Sequence, residues 1–374
     1  MTSFQFIDTV HPLYEGERQL RFDVLLSTVG LAKYSFEHMD AASYHLVAVE
    51  LVESKETVVG CVLFHPEPLR RRTGRLFQMA VAKHRQGTGL GMKLVQALET
   101  RLAEDGFFTL TLHARAHAVP FYERCGYSCV GEPFHEVGLE HRHMRRAIRP
   151  LRAIAFDCGG ILAADCNYTM LFEHVHQDKV PAVKAAIDAE WDKFKLDSTY
   201  PTQLFWANVL QAATLDPSDW ERFDIALVNF QTAFWGTFAI VERLRKRYPE
   251  IILGVVSNYN QSWFEAIFVK YGLASLFPDR SLVVVSCDVA AAKPDHRILD
   301  VFLARVNAVA AGSAGPIPKD SAVLIDDKKR NTDAAHKHGM VGLQYNAAKE
   351  PSGVLVSRLR ELGLDVSEEG VDPL

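Results

Sequence analysis

Along this chain the spacing of apolar residues switches between two periods, and each switch marks an element. Residues 17–31 place Leu20, Val24 and Leu25 on one face, which predicts a helix. Two apolar runs follow, residues 45–52 and 57–64, with the polar stretch 53–56 between them as a hairpin. Residues 75–82 read as a strand that runs into Gln86-Gly87-Thr88-Gly89-Leu90-Gly91. Behind that loop Leu90, Leu94, Val95, Leu98 and Leu102 recur at helical spacing until Gly106 ends them. Residues 107–113 are a further strand, and a short helix over 116–125 closes at Gly126.

Arg149-Pro150 is nearly all the linker there is before the pattern restarts. The run Leu151-Arg152-Ala153-Ile154-Ala155-Phe156 delivers a carboxylate, Asp157, to a strand end, and Cys158-Gly159-Gly160 lets the backbone turn there. Residues 165 to about 238 are helical throughout. Four of the five tryptophans (Trp191, Trp206, Trp220, Trp235) fall in this stretch, so an inserted cap with its own small core is expected. Ser218 and Glu221 have the spacing of a capping box. Strands over 251–257, 281–286, 322–327 and 341–345 then alternate with helices over 261–271, 295–306 and 331–338. A flexible connection over 312–318 interrupts them. Continuous apolar strands alternating with helices predict a parallel sheet covered on both faces. Ligands of such sheets bind beyond the carboxyl ends of the strands, where Asp157 lies.

Composition narrows the class. A chain of 374 residues has the length of two domains, and 48% hydrophobic with 23% charged residues is ordinary for a soluble protein. The net charge of -5 argues against a nucleic-acid or anionic-membrane surface. No apolar run reaches ~18 residues, so no membrane span is expected, and the N-terminus lacks the pattern of a signal peptide. The six cysteines, Cys61, Cys125, Cys129, Cys158, Cys166 and Cys287, form no CxxC pair and read as reduced thiols of a cytoplasmic protein.

Two sets of residues carry chemistry. A glycine turn between a strand and a helix N-terminus aims amide N–H groups at one point and suits a pyrophosphate. The spacing here is not the dinucleotide fingerprint, which needs glycine where Met92 stands, nor a P-loop, which needs Gly-Lys-Ser/Thr. It resembles the GNAT acyltransferase superfamily, whose loop Gln/Arg-x-x-Gly-x-Gly/Ala is met by Gln86, Gly89 and Gly91. His113-Ala-Arg-Ala-His-Ala-Val-Pro-Phe-Tyr-Glu-Arg-Cys-Gly-Tyr127 resembles a second segment of that superfamily. The resemblance implies that Met79, Ala80, Val81, Gln86, Gly87, Thr88, Gly89, Leu90, Gly91 and Met92 hold acetyl-CoA. It also implies that Tyr122 protonates the leaving thiolate. The family's frequent asparagine seven residues before that tyrosine is Arg115 here. No motif fixes the acceptor's base. Glu132, His135 and Glu136 are candidates for it, though a solvated loop is the plainer reading of each. His113 reads as a satisfied core histidine, and His141, Arg142 and His143 as an edge strand without metal-site partners.

In the second half, Asp157, Ser257, Lys293 and the pair Asp326-Asp327 recur at strand ends. Converging carboxylates with a lysine and a hydroxyl are what phosphoryl transfer through an aspartyl intermediate requires. The order and spacing resemble the HAD hydrolase superfamily with a helical cap. The matching segments are Phe156-Asp157-Cys158-Gly159-Gly160-Ile161-Leu162, Val255-Val256-Ser257-Asn258, Ala292-Lys293-Pro294-Asp295 and Leu324-Ile325-Asp326-Asp327. The resemblance implies Asp157 as nucleophile and Mg²⁺ ligand, with the Gly159 carbonyl and Asp327 as further ligands and Asp326 close behind. It implies Ser257, Asn258 and Lys293 as holders of the transferring group. The usual second aspartate, which protonates the leaving group, is Gly159 here.

The expected fold is α/β: a GNAT-like mixed α+β sheet domain over 1–149, then a Rossmann-like HAD core with a parallel sheet over 150–374, its helical cap at about 166–238. The expected function is an acetyl-CoA-dependent N-acetyltransferase fused to a Mg²⁺-dependent phosphatase. Tyr122, Asp157 and Lys293 would be catalytic, and the substrates a small amine and a phosphorylated small molecule. The alternative is a single-activity acetyltransferase whose second domain binds or scaffolds. A dehalogenase shares the second fold but has no specific support. Oligomeric state is left open.

Overall fold

β1 (Ser3–Ile7), too short for the sequence pattern to announce, opens an eight-stranded sheet by pairing antiparallel with β2 (Tyr44–Val52). Between them α1 (Tyr14–Arg21) continues as a π turn (Phe22–Leu26) and a 3₁₀ turn (Ser27–Val29). The helix expected over 17–31 is therefore present but broken. β2 and β3 (Lys55–Pro66) form the expected hairpin around a tighter turn, Glu53 and Ser54, both at positive φ. β4 (Thr73–Val81) lies antiparallel to β3; α2 (Leu90–Glu104) then crosses over, and β5 (Thr109–Arg115) returns parallel to β4. α3 (Val119–Arg124), β6 (Ser128–Cys129), β7 (Phe134–Glu136) and β8 (Leu139–Ala147) complete the order β1-β2-β3-β4-β5-β8-β6, with β7 on β8.

A parallel pair cannot be joined by a hairpin, and α2 is the crossover it requires. Its Leu94, Val95, Leu98 and Leu102 are fully buried with Leu46, Val62, Phe64, Leu110 and Met144. Each such side chain contributes ~1.5–3 kcal/mol on burial. A second cluster unites Leu13, Tyr14 and Leu20 with Val47, Val49, Cys61 and Ala80. The parallel junction is also where the sheet opens. β4 and β5 pair only from Thr73↔Thr109 to Leu76↔Leu112. Beyond that, β4 bulges against β3 between the pairs Leu63↔Phe77 and Cys61↔Ala80, with Gln78 at φ 47.

The second sheet is parallel and five-stranded, ordered β11-β10-β9-β12-β13. Its strands are β9 (Ala153–Phe156), β10 (Ile252–Ser257), β11 (Val283–Val285), β12 (Ala322–Asp326) and β13 (Val341–Gln344). The chain leaves β9 toward β10 on one side and later crosses to β12 on the other. β9 thus ends at the switch point of a doubly wound sheet. Helices α4 (Val180–Phe194), α5 (Thr202–Ala212) and α6 (Trp220–Phe230) form the cap. α7 (Trp235–Arg247), α8 (Gln261–Lys270), α9 (Leu273–Leu276), α10 (Ser286–Val289), α11 (Arg297–Val309) and α12 (Lys329–Lys337) cover the sheet. α13 (Ser352–Glu361) follows, unannounced by the sequence reading.

Three details of the cap differ from expectation. It closes at residue 233 rather than 238: Ala163 pairs with Ala233, and Ala164 N–H donates to the Thr232 carbonyl at 2.8 Å. Ser218 and Glu221 form no capping box. Pro217 starts a 3₁₀ turn ahead of α6, so the Asp216 side chain accepts from Ser218 N–H at 2.9 Å instead. The aromatic core is not the cap's alone, because Trp263 of α8 stacks on Trp191 and packs against Phe194, Phe205 and Trp206. Trp235 is 65% exposed and takes no part in that cluster.

This computed structural model describes residues 2–33, 35, 37–67, 72–164, 173–312 and 316–368. The start of the expected cap, residues 165–172 with Cys166, and part of the expected connection over 312–318 lie outside them. The chain forms two compact units. One is Met1–Pro150 together with Arg360–Leu364; the other is Leu151–Leu359 with Asp365–Ser367. Within the first unit, Thr109 Oγ1 donates to the Glu361 carbonyl at 3.1 Å, and Arg145 Nη2 to the Arg360 carbonyl at 2.8 Å. Among the described residues no cysteine is in a disulfide. Among the described residues no helix is long and apolar enough to cross a membrane.

Candidate functional sites

In the first unit the parting of β4 from β5 opens a cavity of about 370 Å³. Met79, Gln86 and Tyr122 line one part of it, and Arg75, His113, Arg115 and Glu136 another. Tyr122 Oη donates to Met79 Sδ at 3.6 Å, and burial pushes its phenol well above the usual range. A phenol held protonated is a donor, as a leaving thiolate requires. The wall at Gln78 is held from behind. Arg21 Nη1 donates to Gln78 Oε1 at 2.6 Å, while its two Nη atoms grip Asp40 at 3.1 and 2.6 Å. His45 joins Glu17 at 2.8 Å to the Asp40 carbonyl at 2.9 Å, and Tyr14 donates to Asp40 Oδ2 at 2.8 Å. Arg21, Glu17, Asp40 and His45 are all buried. No motif announced this network.

The glycine loop has the shape an anion needs. Gly87 and Gly89 take φ 75 and 81, and a Cβ built on either would meet nothing within 4 Å. Lys83, His84 and Arg85 precede it, and no acid stands in the first turn of α2. Thr88 Oγ1 donates to the Arg85 carbonyl at 2.7 Å, and Gln86 Nε2 to the Val81 carbonyl at 2.9 Å. Ala80 and Leu90 are buried, and Met92 packs against the core, so these residues can offer a ligand only their backbone. Gly91 lets Met79 close in: a Cβ there would lie 2.8 Å from Met79 Cε.

Of the candidates for an acceptor base, Glu132 and His135 are exposed. Glu136 instead turns to His113, with Oε2 3.0 Å from Nδ1. His113 is thus no satisfied core histidine but a cavity residue, because the antiparallel register of β5, β8 and β7 lays it beside Glu136. His141 Nδ1 donates to the Leu139 carbonyl at 2.9 Å.

In the second unit, strand ends bring the expected groups together. Ser257 Oγ donates to Asp157 Oδ1 at 2.8 Å, and Cys158 N–H to the same oxygen at 2.7 Å. Lys293 Nζ lies 2.9 Å from Asp157 Oδ2 and 2.6 Å from Asp326 Oδ2, and donates to the Val256 carbonyl at 2.7 Å. Burial opposes the lysine's charge, but the two carboxylates outweigh it and hold the ammonium above its ordinary value. Burial pushes Asp157 up, Lys293 pulls it back, and Asp326 adds to the rise. Burial would raise Asp326 as well, yet Lys293, the Lys328 N–H and Asn331 keep it below the usual carboxylate range.

These contacts divide the labour of the acidic pair. Asp326 is fully buried and bound by Lys293, Lys328 N–H and Asn331, so it orients Lys293. Asp327 is half-buried and approaches the turn at Gly160, whose φ is 76; a Cβ there would lie 2.7 Å from Asp327 Cγ. Asp157, Asp326 and Asp327 each offer an oxygen within 4.8 Å of the others. An all-oxygen set of net negative charge fits a hard divalent cation such as Mg²⁺. Gly160, not Gly159, has the positive φ, and its carbonyl accepts from Ala347 N–H at 2.9 Å. The Asn258 side chain is used twice on the Lys293 backbone, at 2.7 and 2.8 Å, and so positions that lysine.

Beside Asn258 lies a cavity of about 280 Å³ between the cap helices and the strand ends. Trp191, Phe205, Trp206 and Trp263 wall it with aromatic rings, and Lys195, Lys328 and Arg330 bring positive charge to it against the one carboxylate of Asp188.

Comparison with known proteins finds one family match within each unit. Residues 31–148 match the family model for the acetyltransferase (GNAT) domain, and residues 220–343 that for haloacid dehalogenase-like hydrolases. The second match includes Ser257, Lys293, Asp326 and Asp327 but begins after Asp157. An uncharacterized N-acetyltransferase YjcF of Bacillus subtilis is 34% identical over 74 residues, 20% of this chain and 53% of its own. An uncharacterized acetyltransferase of Streptococcus pyogenes is 42% identical over 52 residues, 14% of this chain and 36% of its own. The chain thus spans about half or less of the curated relatives it matches. The solved structure of Escherichia coli ElaA aligns at 20% identity and TM-score 0.35, over 39% of this chain and 99% of that one. That of an aminoglycoside 6'-N-acetyltransferase complexed with coenzyme A aligns at 20% and 0.34, over 40% and 98%. The chain carries a GNAT acetyltransferase domain and a HAD-like hydrolase domain.

Proposed function

We propose that the chain is a two-activity enzyme that acetylates a small-molecule amine from acetyl-CoA and hydrolyses a phosphorylated small molecule with Mg²⁺. For the first activity the carrying observation is the cleft between β4 and β5, lined by a protonated Tyr122 and by Gln86 at the head of the glycine loop. The backbone from Gly87 to Gly91 would hold the pyrophosphate, and Tyr122 would give its proton to the departing sulfur.

For the second activity the carrying observation is Lys293, shared between Asp157 and Asp326 with Ser257 on the other oxygen of Asp157. That arrangement holds a carboxylate in one orientation at the switch point of the sheet. Asp157 would attack phosphorus, the bond to the leaving oxygen would break, and water would then hydrolyse the aspartyl phosphate. Ser257 and Lys293 would hold the phosphoryl oxygens. Asp157, Asp327 and the Gly159 carbonyl would hold the cation, with Asp326 behind them, and the cation would neutralise charge on those oxygens.

Gly159 supports a second reading, in which the hydrolase-like unit binds without turnover. Both readings are tested on the full-length protein. Thiol release from acetyl-CoA is followed across amines, and phosphate release across phosphomonoesters with and without Mg²⁺. Phosphate release that needs Mg²⁺ and disappears in Asp157→Asn supports the two-activity reading. No release from any phosphomonoester, with ligand binding intact, supports the second. The free thiols fit a reducing compartment, and the cytoplasm is the proposed setting.

A further inference from the structure

The acceptor side of the first cavity holds groups to which the roles above give no work. β5 and β8 set His113 opposite His143 and Arg115 opposite His141, and β4 sets Arg75 opposite Thr111. Paired residues of neighbouring strands share a sheet face, so these side chains form one polar layer. The neighbouring positions Leu110, Leu112 and Ala114 point the other way, into the core against α2. The cavity lining has one carboxylate, Glu136, against Arg75, Arg115 and three histidines. A carboxylate oxygen accepts, so in the neutral imidazole of His113 Nδ1–H points to Glu136 and Nε2 is the atom that carries the lone pair. Arg115 is partly used, donating to the Leu25 carbonyl at 3.0 Å. The Arg75 side chain forms no hydrogen bond or ion pair with any described residue, although it lines the same cavity as His113 and Tyr122. His143 registers the surplus of positive charge: burial holds it below its ordinary value, and His113, Arg145 and Arg75 add to that.

We propose that this layer is the acceptor site, built for a primary amine that carries a carboxylate. His113 is the catalytic base, Glu136 the residue that positions it, and Arg75 the carboxylate clamp. The proposal rests on the acetyltransferase reading and deepens it by naming the acceptor's class. A guanidinium matches a planar carboxylate through two parallel hydrogen bonds, and Arg75 has both donors to give. Leu25, Leu26 and Phe77 line the same cavity and would cover an apolar side chain, as on an apolar amino acid. The protons balance. His113 Nε2 takes one proton from the ammonium, and the freed lone pair forms the C–N bond to the thioester carbon. As the C–S bond breaks, Tyr122 gives its proton to sulfur and regains one from the nitrogen that has become an amide. The proton held by His113 then leaves to solvent.

The test uses the full-length protein and matched amines that differ only in the carboxylate: leucine against isopentylamine, and phenylalanine against phenethylamine. Thiol release gives the kinetics, and calorimetry with acetyl-CoA reports in every variant whether the first site is intact. The wild type should prefer the carboxylated partner. Arg75→Gln should raise its KM by ~10–100-fold, change kcat far less, and erase the preference. His113→Gln should lower kcat by ~100-fold or more with acetyl-CoA affinity unchanged. Glu136→Gln should lower kcat by less, with KM unchanged. Equal use of both partners, or use of neither by a protein that binds acetyl-CoA, overturns the acceptor class. Wild-type kcat in His113→Gln overturns the base. Failure to bind acetyl-CoA at all sinks the acetyltransferase reading itself, and this proposal with it.

Discussion

Replacing Gly160 by alanine should separate the stability of the hydrolase-like unit from its grip on a metal. Two costs follow from the geometry. At φ 76 a residue with a Cβ costs ~1–2 kcal/mol, which in a unit of this size lowers the melting temperature by roughly 2–8 °C. The new methyl would also lie 2.7 Å from Asp327 Cγ, where ordinary contact needs about 3.5–4.0 Å. Asp327 must therefore retreat by roughly 1 Å. Mg²⁺ takes its oxygens at about 2.0–2.1 Å in a nearly ideal octahedron and does not follow such a shift. Disturbing partners outside the coordination shell already costs ~10–100-fold in metal affinity, so displacing a ligand should cost at least that. The assay is calorimetric melting with and without Mg²⁺, together with direct Mg²⁺ titration, on wild type, Gly160→Ala and Asp327→Asn. Both variants should lose most of the Mg²⁺-induced rise in melting temperature, and only Gly160→Ala should also melt lower without metal. If Gly160→Ala melts lower yet keeps the full Mg²⁺-induced rise, Asp327 is not held against that turn as a metal ligand.

Four further outcomes follow. Gly89→Glu places an anion in the open space over the loop at a φ of 81, and should abolish acetyl-CoA binding by calorimetry; unchanged affinity would mean the site is elsewhere. Tyr122→Phe should lower turnover while acetyl-CoA affinity stays nearly constant, since the phenol acts in the leaving-group step. Without an aspartate at position 159, aryl phosphates should be cleaved far faster than alkyl phosphates, by up to ~10²–10⁴-fold, and Gly159→Asp should narrow the gap. Asp157→Asn should abolish both reactions; equal wild-type rates in a step shown to be chemical would falsify the missing-acid argument. Burial alone would lower His45, but Glu17 outweighs it and holds the imidazole above its ordinary value, among Asp40, Arg21 and Tyr14. Its contribution to stability is fully present below about pH 6.5 and is lost as pH rises through the raised folded value. Denaturant titrations should show that decline in the wild type and a flatter profile in His45→Gln.

What the sequence discloses here depends on how local the determining physics is. The strand ends carrying Asp157, Ser257 and Asp326 could be read because buried parallel strands are continuous apolar runs, and the residue after each run must emerge at the same edge. The glycine loop could be read because positive φ leaves few alternatives to glycine. The partition within the pair Asp326-Asp327 could be read only through the family resemblance. It depends on Lys293 and Asn331 closing on one carboxylate while the turn at Gly160 leaves room for the other. The role of the Asn258 side chain is equally non-local, for it is taken by the Lys293 backbone 35 residues on. His113 and Glu136 are 23 residues apart, and only the register of three antiparallel strands makes them neighbours. β1 escapes because its alternation, Phe4 and Phe6 about Gln5, is only a few residues long and leaves both phenylalanines exposed on an edge strand. The false capping box shows the opposite failure, a local motif overruled by a proline one residue away.

Because Arg360–Leu364 belongs to the first unit, the fold that opens the chain is completed only after the body of the second unit, through Leu359, has been made. A ribosome that has released Pro150 must still synthesise roughly 210 residues before that segment exists. At ~5–20 residues per second this takes roughly 10–40 s, during which Thr109 and Arg145 lack the carbonyls they bond in the mature chain. The completion of the first unit is thereby made conditional on translation of the second through residue 359. A message broken off after the last parallel strand, or a product trimmed by a protease at residue 359, would carry the whole first sheet on a unit without its closing segment. Quality control acting on the nascent protein would sense a lesion just after residue 359 as a defect of residues 1–150.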